Sequence, residues 1–196
     1  AFHRQCRVTG LDFTQTRVEA ARRLSERVKL AHLVDFVHGD AMAMSLPSSN
    51  YHALISQESW LHVPDKAAVV SECVRVTKPG GVIAFTDIVT LTVLDSSTEA
   101  RLASGIRTAN LASAEHYRTL LTENGCSIEV DHDLSEQWKN ILTKRLEMFR
   151  SLRDTTVAKF GEARFNEYDA AYAHYVNCFV TGKLGGIRIV ARTHAA

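Results

Sequence analysis

The sequence predicts an α/β fold built as a doubly wound, largely parallel sheet, and three observations carry that prediction. Short apolar runs alternate with amphipathic helical patterns from the start of the chain to about residue 87. The first two apolar runs each lead into an aspartate, Asp12 and Asp40, with a helix-length segment between them, the spacing of one βαβ unit. Pro47 and Pro79-Gly80-Gly81 then punctuate the chain at the short connections such units use.

The elements follow in order. Residues 6–11 alternate poorly, as expected for a strand buried on both faces. Thr14 or Thr16 caps a helix reaching about residue 31, with Val18, Ala21, Leu24 and Val28 at helical spacing. Residues 33–37 form the next strand, 45–50 a turn and 52–56 a third strand. After an irregular loop, 58–64, Asp65 caps a helix over 66–77 whose apolar side carries Val69, Cys73, Val74 and Val76. Pro79-Gly80-Gly81 stops it and opens a strand over 82–87. Residues 96–107 and 113–124 read as helices. Ser113 caps the second, without a capping box because His116 stands where Glu or Gln is needed. Gly125 ends that helix, and 127–132 alternate like an outer strand. Ser135 caps a long helical run to about residue 160, broken at Gly161 from a second run over 163–181. Gly182, Gly185 and Gly186 lead into a last strand, 187–191. The chain reads as a single domain over 1–196, with 96–124 and 135–181 as helical segments within it.

Composition narrows the function. A chain of 196 residues with 45% apolar content buries one substantial core. A net charge of +1 with interspersed signs and no Lys/Arg block argues against a nucleic-acid surface. The nine histidines form no H-x-x-x-H pair, so no metal site is expected. Cys6, Cys73, Cys126 and Cys178 have no C-x-x-C spacing and read as buried thiols of a cytoplasmic protein. No apolar run approaches the roughly 20 residues of a membrane span, and no signal peptide is visible. Oligomeric state has no signature.

In parallel α/β sheets, ligands sit beyond the carboxyl ends of the strands, so acids placed there face the binding crevice. Two such acids one crossover apart suit a nucleoside, one for the ribose diol and one for the adenine amine. The plainer reading is that each aspartate serves a turn or a helix cap.

Val8-Thr9-Gly10-Leu11-Asp12, His38-Gly39-Asp40-Ala41, and Lys78-Pro79-Gly80-Gly81-Val82 followed by Phe85-Thr86-Asp87 resemble the motifs of class I S-adenosylmethionine-dependent methyltransferases. Residues 56–66 and Gly182-Lys183-Leu184-Gly185-Gly186 make the chain most similar to the sarcosine/dimethylglycine and phosphoethanolamine N-methyltransferases. The resemblance implies a Rossmann-like sheet with a helical substrate lid and S-adenosyl-L-methionine as cofactor. Asp12 is then placed on the ribose and Phe13 against the nucleoside. Asp40, with Gly39 before it, takes the adenine amine while Ala41 and Met42 cover the ring. Ser56 and Gln57 border the methionine moiety. The family's glycine-rich strand-to-helix loop is expected about one helix before Asp12, so the resemblance implies that this sequence lacks that loop and the first strand. Cofactor binding by this stretch alone is then expected to be poor. The strands ending at Asp12 and Ser56 must pair directly or leave a slot of about 9–10 Å, two strand spacings.

On the acceptor side, His62 is the candidate base and Glu58 and Trp60 share its loop; Trp60 equally suits packing. Phe165, Tyr168, Tyr172, Tyr175 and Phe179 are spaced 3, 4, 3, 4, one helix face. Such a stripe is core, or Tyr168, Tyr172 and Tyr175 hold a methylated ammonium by cation–π contact. Lys144, Arg145, Arg150 and Arg153 form a solvated face or meet an acidic substrate group. The function this implies is methyl transfer to a small-molecule acceptor, an amine of the betaine- or choline-precursor type. The alternatives are C- or O-methylation of a quinone-like or natural-product acceptor, and a catalytically impaired fragment acting as a binding module. A nicotinamide-dependent dehydrogenase fits Asp12 but not the motifs around Asp40 and Pro79.

Overall fold

A computed structural model describes residues 1–195, which fall into two compact units, one ending at Ser48 and the other starting at Ser49. The first is a single βαβ unit. Strand β1 (Val8–Asp12) and strand β2 (Val34–His38) pair in parallel, with Val8 opposite Val34 and Asp12 opposite His38, and helix α1 (Gln15–Arg27) makes the crossover. Val18 is the buried apolar anchor of α1. Close packing of the two strands needs Gly10, where a Cβ would lie 2.8 Å from the Phe36 ring. Neither threonine caps α1 through its side chain: Thr14 stands at the cap position, but Asp12 Oδ1 accepts its amide proton at 2.8 Å. That carboxylate shapes the turn that enters the helix instead of capping its first turn.

The second unit is built on a four-stranded sheet. Its elements are β3 (Tyr51–Gln57), α2 (Lys66–Val76), β4 (Thr77–Thr90), α3 (Ser96–Ile106), α4 (Ala114–Glu123), β5 (Cys126–Asp133), α5 (Ser135–Ser151), α6 (Arg153–Phe160), α7 (Glu162–Val180) and β6 (Leu184–Thr193). The strands are ordered β3-β4-β6-β5, with β3 parallel to β4 and β6 antiparallel to both its neighbours. Alternation along β4 buries Ile83, Phe85, Asp87 and Val89 on one face, where Phe85 packs on Trp60 and Tyr117. Leu61, Ile88 and Leu184 join α3, α5 and α7 in an apolar cluster through Leu102, Leu142, Leu146 and Phe179. Among the described residues β1 pairs only with β2, and β3 only with β4.

The α/β alternation is as expected, and Asp65 and Ser113 cap α2 and α4 by accepting from Ala68 and His116 amides. Several expectations are corrected. Strand β4 starts at Thr77, immediately after α2, and runs through Pro79-Gly80-Gly81, because Thr193 Oγ1 at the end of β6 accepts from Gly81 N at 3.0 Å and donates to the Lys78 carbonyl at 2.7 Å. Gly185 and Gly186 belong to β6, opposite Val89 and Ile88, instead of preceding it. The long helix divides at Leu152, and Ser135 is already helical; its Oγ accepts from Gly186 N at 3.3 Å instead of capping α5. Cys73, Cys126 and Cys178 are buried, whereas Cys6 is exposed. Burial pushes the Cys73 thiol up to about 12, so it is inert at neutral pH.

The two glycines of the β4 bend are required for different reasons. Gly80 has φ +73° in open space, while a Cβ on Gly81 would meet Thr77 Cγ2 at 2.6 Å and the Lys78 and His52 carbonyls at 2.8 and 3.0 Å. Gly80→Ala should destabilise by about 1 kcal/mol from backbone strain. Gly81→Ala should cost about 2–3 kcal/mol, because the obstruction includes backbone. Urea unfolding of the two variants measures the difference.

Candidate functional site

In the first unit, the two strand-end acids lie at the same edge of one parallel pair. Asp12 closes β1 opposite His38, and Asp40 follows β2 by two residues. Each is half-buried, and each has one oxygen committed to a local turn: Asp12 Oδ1 accepts from Thr14 N, and Asp40 Oδ1 from Met42 N, both at 2.8 Å. Neither second oxygen has a hydrogen-bond partner among the described residues. The turn role and the binding role are therefore compatible within each side chain. The Gly39 amide donates to the Asp12 carbonyl at 3.1 Å, and His38 Nε2 meets the Phe13 carbonyl at 3.0 Å, so the two strand ends are tied to one another. Phe13 is 74% exposed, an unusual state for a large apolar ring beside two acids. Ala41 and Met42 are half-buried in the turn after Asp40.

In the second unit, β3 ends at Ser56 and Gln57. Ser56 Oγ and Ser59 Oγ are 2.6 Å apart, and Gln57 is exposed. Glu58 follows with φ +49°, a left-handed conformation that non-glycine residues rarely adopt and that clusters at functional loops. A 3-10 turn, Trp60–His62, then brings the chain to α2. Trp60 is 4% exposed and lies 4.2 Å from Phe85 and 5.8 Å from Tyr117, ring centre to ring centre. Its ring is a packing element with almost no surface left for a ligand.

His62 is exposed, and its Nδ1 lies 2.8 Å from the Arg107 carbonyl. A carbonyl can only accept, so Nδ1 carries the proton, and the lone pair of a neutral ring sits on Nε2.

Two charged groups to which the sequence assigns no role hold this loop from below. Asp87 has no exposed surface; its Oδ1 accepts from the Leu61 amide at 3.2 Å and its Oδ2 from the Tyr117 hydroxyl at 2.7 Å. Burial pushes this carboxyl up to about 6, against the pull of those donors and of Lys66. Lys66, 2% exposed, donates to the Trp60, Val63 and Ala109 carbonyls, and burial draws its amine down to about 8 while Asp87 opposes the shift. Asp87 stands in an apolar strand, a signal that was available; nothing local marks Lys66.

The aromatic stripe of α7 is continuous. Tyr168, Tyr172, Tyr175 and Phe179 follow one another at 6.2, 6.0 and 5.3 Å, and Phe149 stacks on Phe165 at 4.9 Å. Phe165, Tyr175 and Phe179 are core; Tyr172 is half-buried and Tyr168 is 59% exposed, so the stripe grades from core to surface. Burial first, then the Glu58 carboxylate, raise the Tyr175 hydroxyl; burial also raises Tyr172, against the Arg145 charge. The Glu58 charge thus reaches Tyr175, and the Arg145 charge reaches both tyrosines. Arg150 and Arg153 are instead paired, with Asp169 and Glu162.

The parallel strands ending in acids, and the sheet closed by an antiparallel strand, define a protein of the class I methyltransferase fold. The family model for a methyltransferase domain matches residues 1–85. It is 27% identical over 161 residues to 27-O-demethylrifamycin SV methyltransferase of Amycolatopsis mediterranei, covering 81% of this chain and 59% of that one. The chain thus spans less than two thirds of that relative's length. A putative sarcosine dimethylglycine methyltransferase from Galdieria sulphuraria superposes with a TM-score of 0.85 at 22% identity, covering 96% of this chain and 70% of the other. Phosphoethanolamine N-methyltransferase 2 of Haemonchus contortus, solved with S-adenosylhomocysteine, gives 0.84 at 19% identity, covering 97% and 44%.

Asp87 makes stability depend on pH with a known sign. Its pKa rises from 3.8 unfolded to about 6 folded. Its contribution is therefore full below about pH 4 and declines as pH climbs through about 6, by about 3 kcal/mol in all. Asp87→Asn should remove that decline. Urea midpoints of the two proteins at about pH 4, 5, 6 and 7 check this.

Proposed function

We propose that the protein transfers a methyl group from S-adenosyl-L-methionine to the nitrogen of a small amine. One observation carries the reading: Asp12 and Asp40 stand at one edge of a parallel strand pair, each with one oxygen fixed and the other available. Asp12 accepts from the ribose hydroxyls and Asp40 from the adenine amine, while Phe13, Ala41 and Met42 supply apolar cover and Gly39 admits close approach. Those residue types fit the nucleoside end of the cofactor. Ser56 and Gln57 are assigned to its methionine end on the resemblance of their motif. When bound, the cofactor supplies an electrophilic methyl group on a sulfonium.

The remaining chemistry falls to this chain. An amine acceptor must arrive unprotonated, and His62 Nε2, its tautomer set by the Arg107 carbonyl, takes the proton the nitrogen sheds. Tyr172 presents a ring face to an ammonium and Glu58 an opposite charge, with Tyr168 at the outer end of the same stripe and Tyr175 packed behind Tyr172 at its buried end. Trp60 supports the loop from the core. The helical segments 96–124 and 135–181 are proposed as the substrate lid. The relative named for O-methylation favours a second reading, a hydroxyl acceptor, for which the tyrosine faces offer no cation site.

A panel of amines, phenols and quinols assayed with labelled methyl donor and the full-length protein separates the two. Label should appear on amines, and Tyr172→Ala should lower kcat/KM for them by up to about thirtyfold, the equivalent of a desolvated cation–π contact of about 2 kcal/mol. Tyr172→Phe should retain activity. Transfer confined to phenols or quinols, indifferent to Tyr172, contradicts the amine assignment.

A further inference from the structure

We infer that Lys66 is a positioning residue: its ammonium fastens loop residues 60–63 to residues 107–109 and so fixes the tautomer and orientation of His62. The inference rests on the proposed role of His62, but the fastening is a property of the chain alone.

The residue type and its place are at odds with a purely local role. Lys66 is the first residue of α2, directly after the Asp65 cap, where the helix dipole disfavours a cation. It is also almost wholly buried, which penalises a charge unless every donor is met. Three carbonyls meet its three N–H groups: Trp60 at 2.8 Å, Val63, and Ala109 at 2.9 Å. Two of these belong to the acceptor-side loop and the third to the connection between α3 and α4. One ammonium therefore cross-links two segments more than forty residues apart.

The connection it holds is strained. Arg107 and Asn110 have φ +59° and +51°, and Ala109 lies between them. Non-glycine residues in that region persist only where surrounding contacts over-determine them. The contacts here are the Ala109 amide to the Leu61 carbonyl at 2.8 Å, Asn110 Nδ2 to the Pro64 carbonyl at 2.9 Å, and Lys66. The Arg107 carbonyl that receives His62 Nδ1–H lies within this segment. Releasing Ala109 from below frees that carbonyl to move, and an imidazole without it reverts to the Nε2-protonated tautomer, which has no lone pair facing an acceptor. Asp87 completes the arrangement by holding the Leu61 amide and opposing the lysine's charge.

Lys66→Met keeps the stem and removes the donors. Backbone exchange at 58–65 and 107–112 should quicken roughly tenfold while the β4–β6 ladder is unchanged, and the ¹⁵N shifts of His62 should move from the Nδ1-protonated to the Nε2-protonated pattern. Should that variant not fold, Lys66→Gln, which keeps two donors on a shorter stem, should give the same local changes at roughly threefold. In methyl transfer by the full-length protein, kcat should fall with KM for the donor unaltered. Exchange that stays the same or rises uniformly, or an unchanged His62 tautomer, overturns the inference. Altered loop exchange and tautomer in a protein that transfers no methyl group would instead leave the fastening intact and discard the proposed activity.

Discussion

A carboxylate with no exposed surface, Asp87, sits three residues before the end of β4, and the second unit is arranged around satisfying it. A buried charge is tolerated only when its lone pairs are filled and an opposite charge is near. Here the Leu61 amide and the Tyr117 hydroxyl each donate to it, and Lys66 supplies the opposite charge. Each partner fixes an element: Leu61 the loop after β3, Tyr117 helix α4, and Lys66 the start of α2. The aromatic trio of Trp60, Phe85 and Tyr117 closes over the same point, so polar network and apolar packing specify one arrangement. The loop that carries His62 is consequently ordered by tertiary contacts, even though Glu58 at its start adopts a backbone conformation that local preferences disfavour.

The first unit uses a simpler device. A parallel strand pair brings two aspartates to one edge, and each uses a single oxygen to shape its own turn. A side chain already held by one hydrogen bond loses little further freedom on meeting a ligand, which is how preorganisation aids binding. The chemistry of the two units divides in the same way as their construction. Fixed acceptors suit a neutral nucleoside, whereas the second unit carries an imidazole held through Nδ1 by the Arg107 carbonyl and an aromatic stripe graded from core to surface.

Much of this was legible in the sequence because it depends on local rules. Alternating strands and helices gave the fold class, Asp65 and Ser113 act as the caps their positions suggest, and the strand-end placement of Asp12 and Asp40 follows from parallel topology. What was misread depends on partners distant in the chain. Gly185 and Gly186 look like a turn until β4 is set beside them, and Pro79-Gly80-Gly81 looks like a stop until Thr193 pins it into the sheet. The break at Leu152 carries no glycine or proline to announce it. Trp60 belongs to the core and Lys66 to the loop it fastens, and neither fact is encoded within a few residues of its position.

The central claim is that the two strand-end aspartates hold the nucleoside of a methyl donor, and calorimetric titration of S-adenosylhomocysteine into the full-length protein tests it most directly. A micromolar or tighter complex is expected, weakening roughly tenfold on Asp12→Asn and again on Asp40→Asn, as follows from losing a charged acceptor at each of two hydrogen-bonded groups. Binding indifferent to both substitutions, or binding of a nicotinamide dinucleotide in its place, would contradict it.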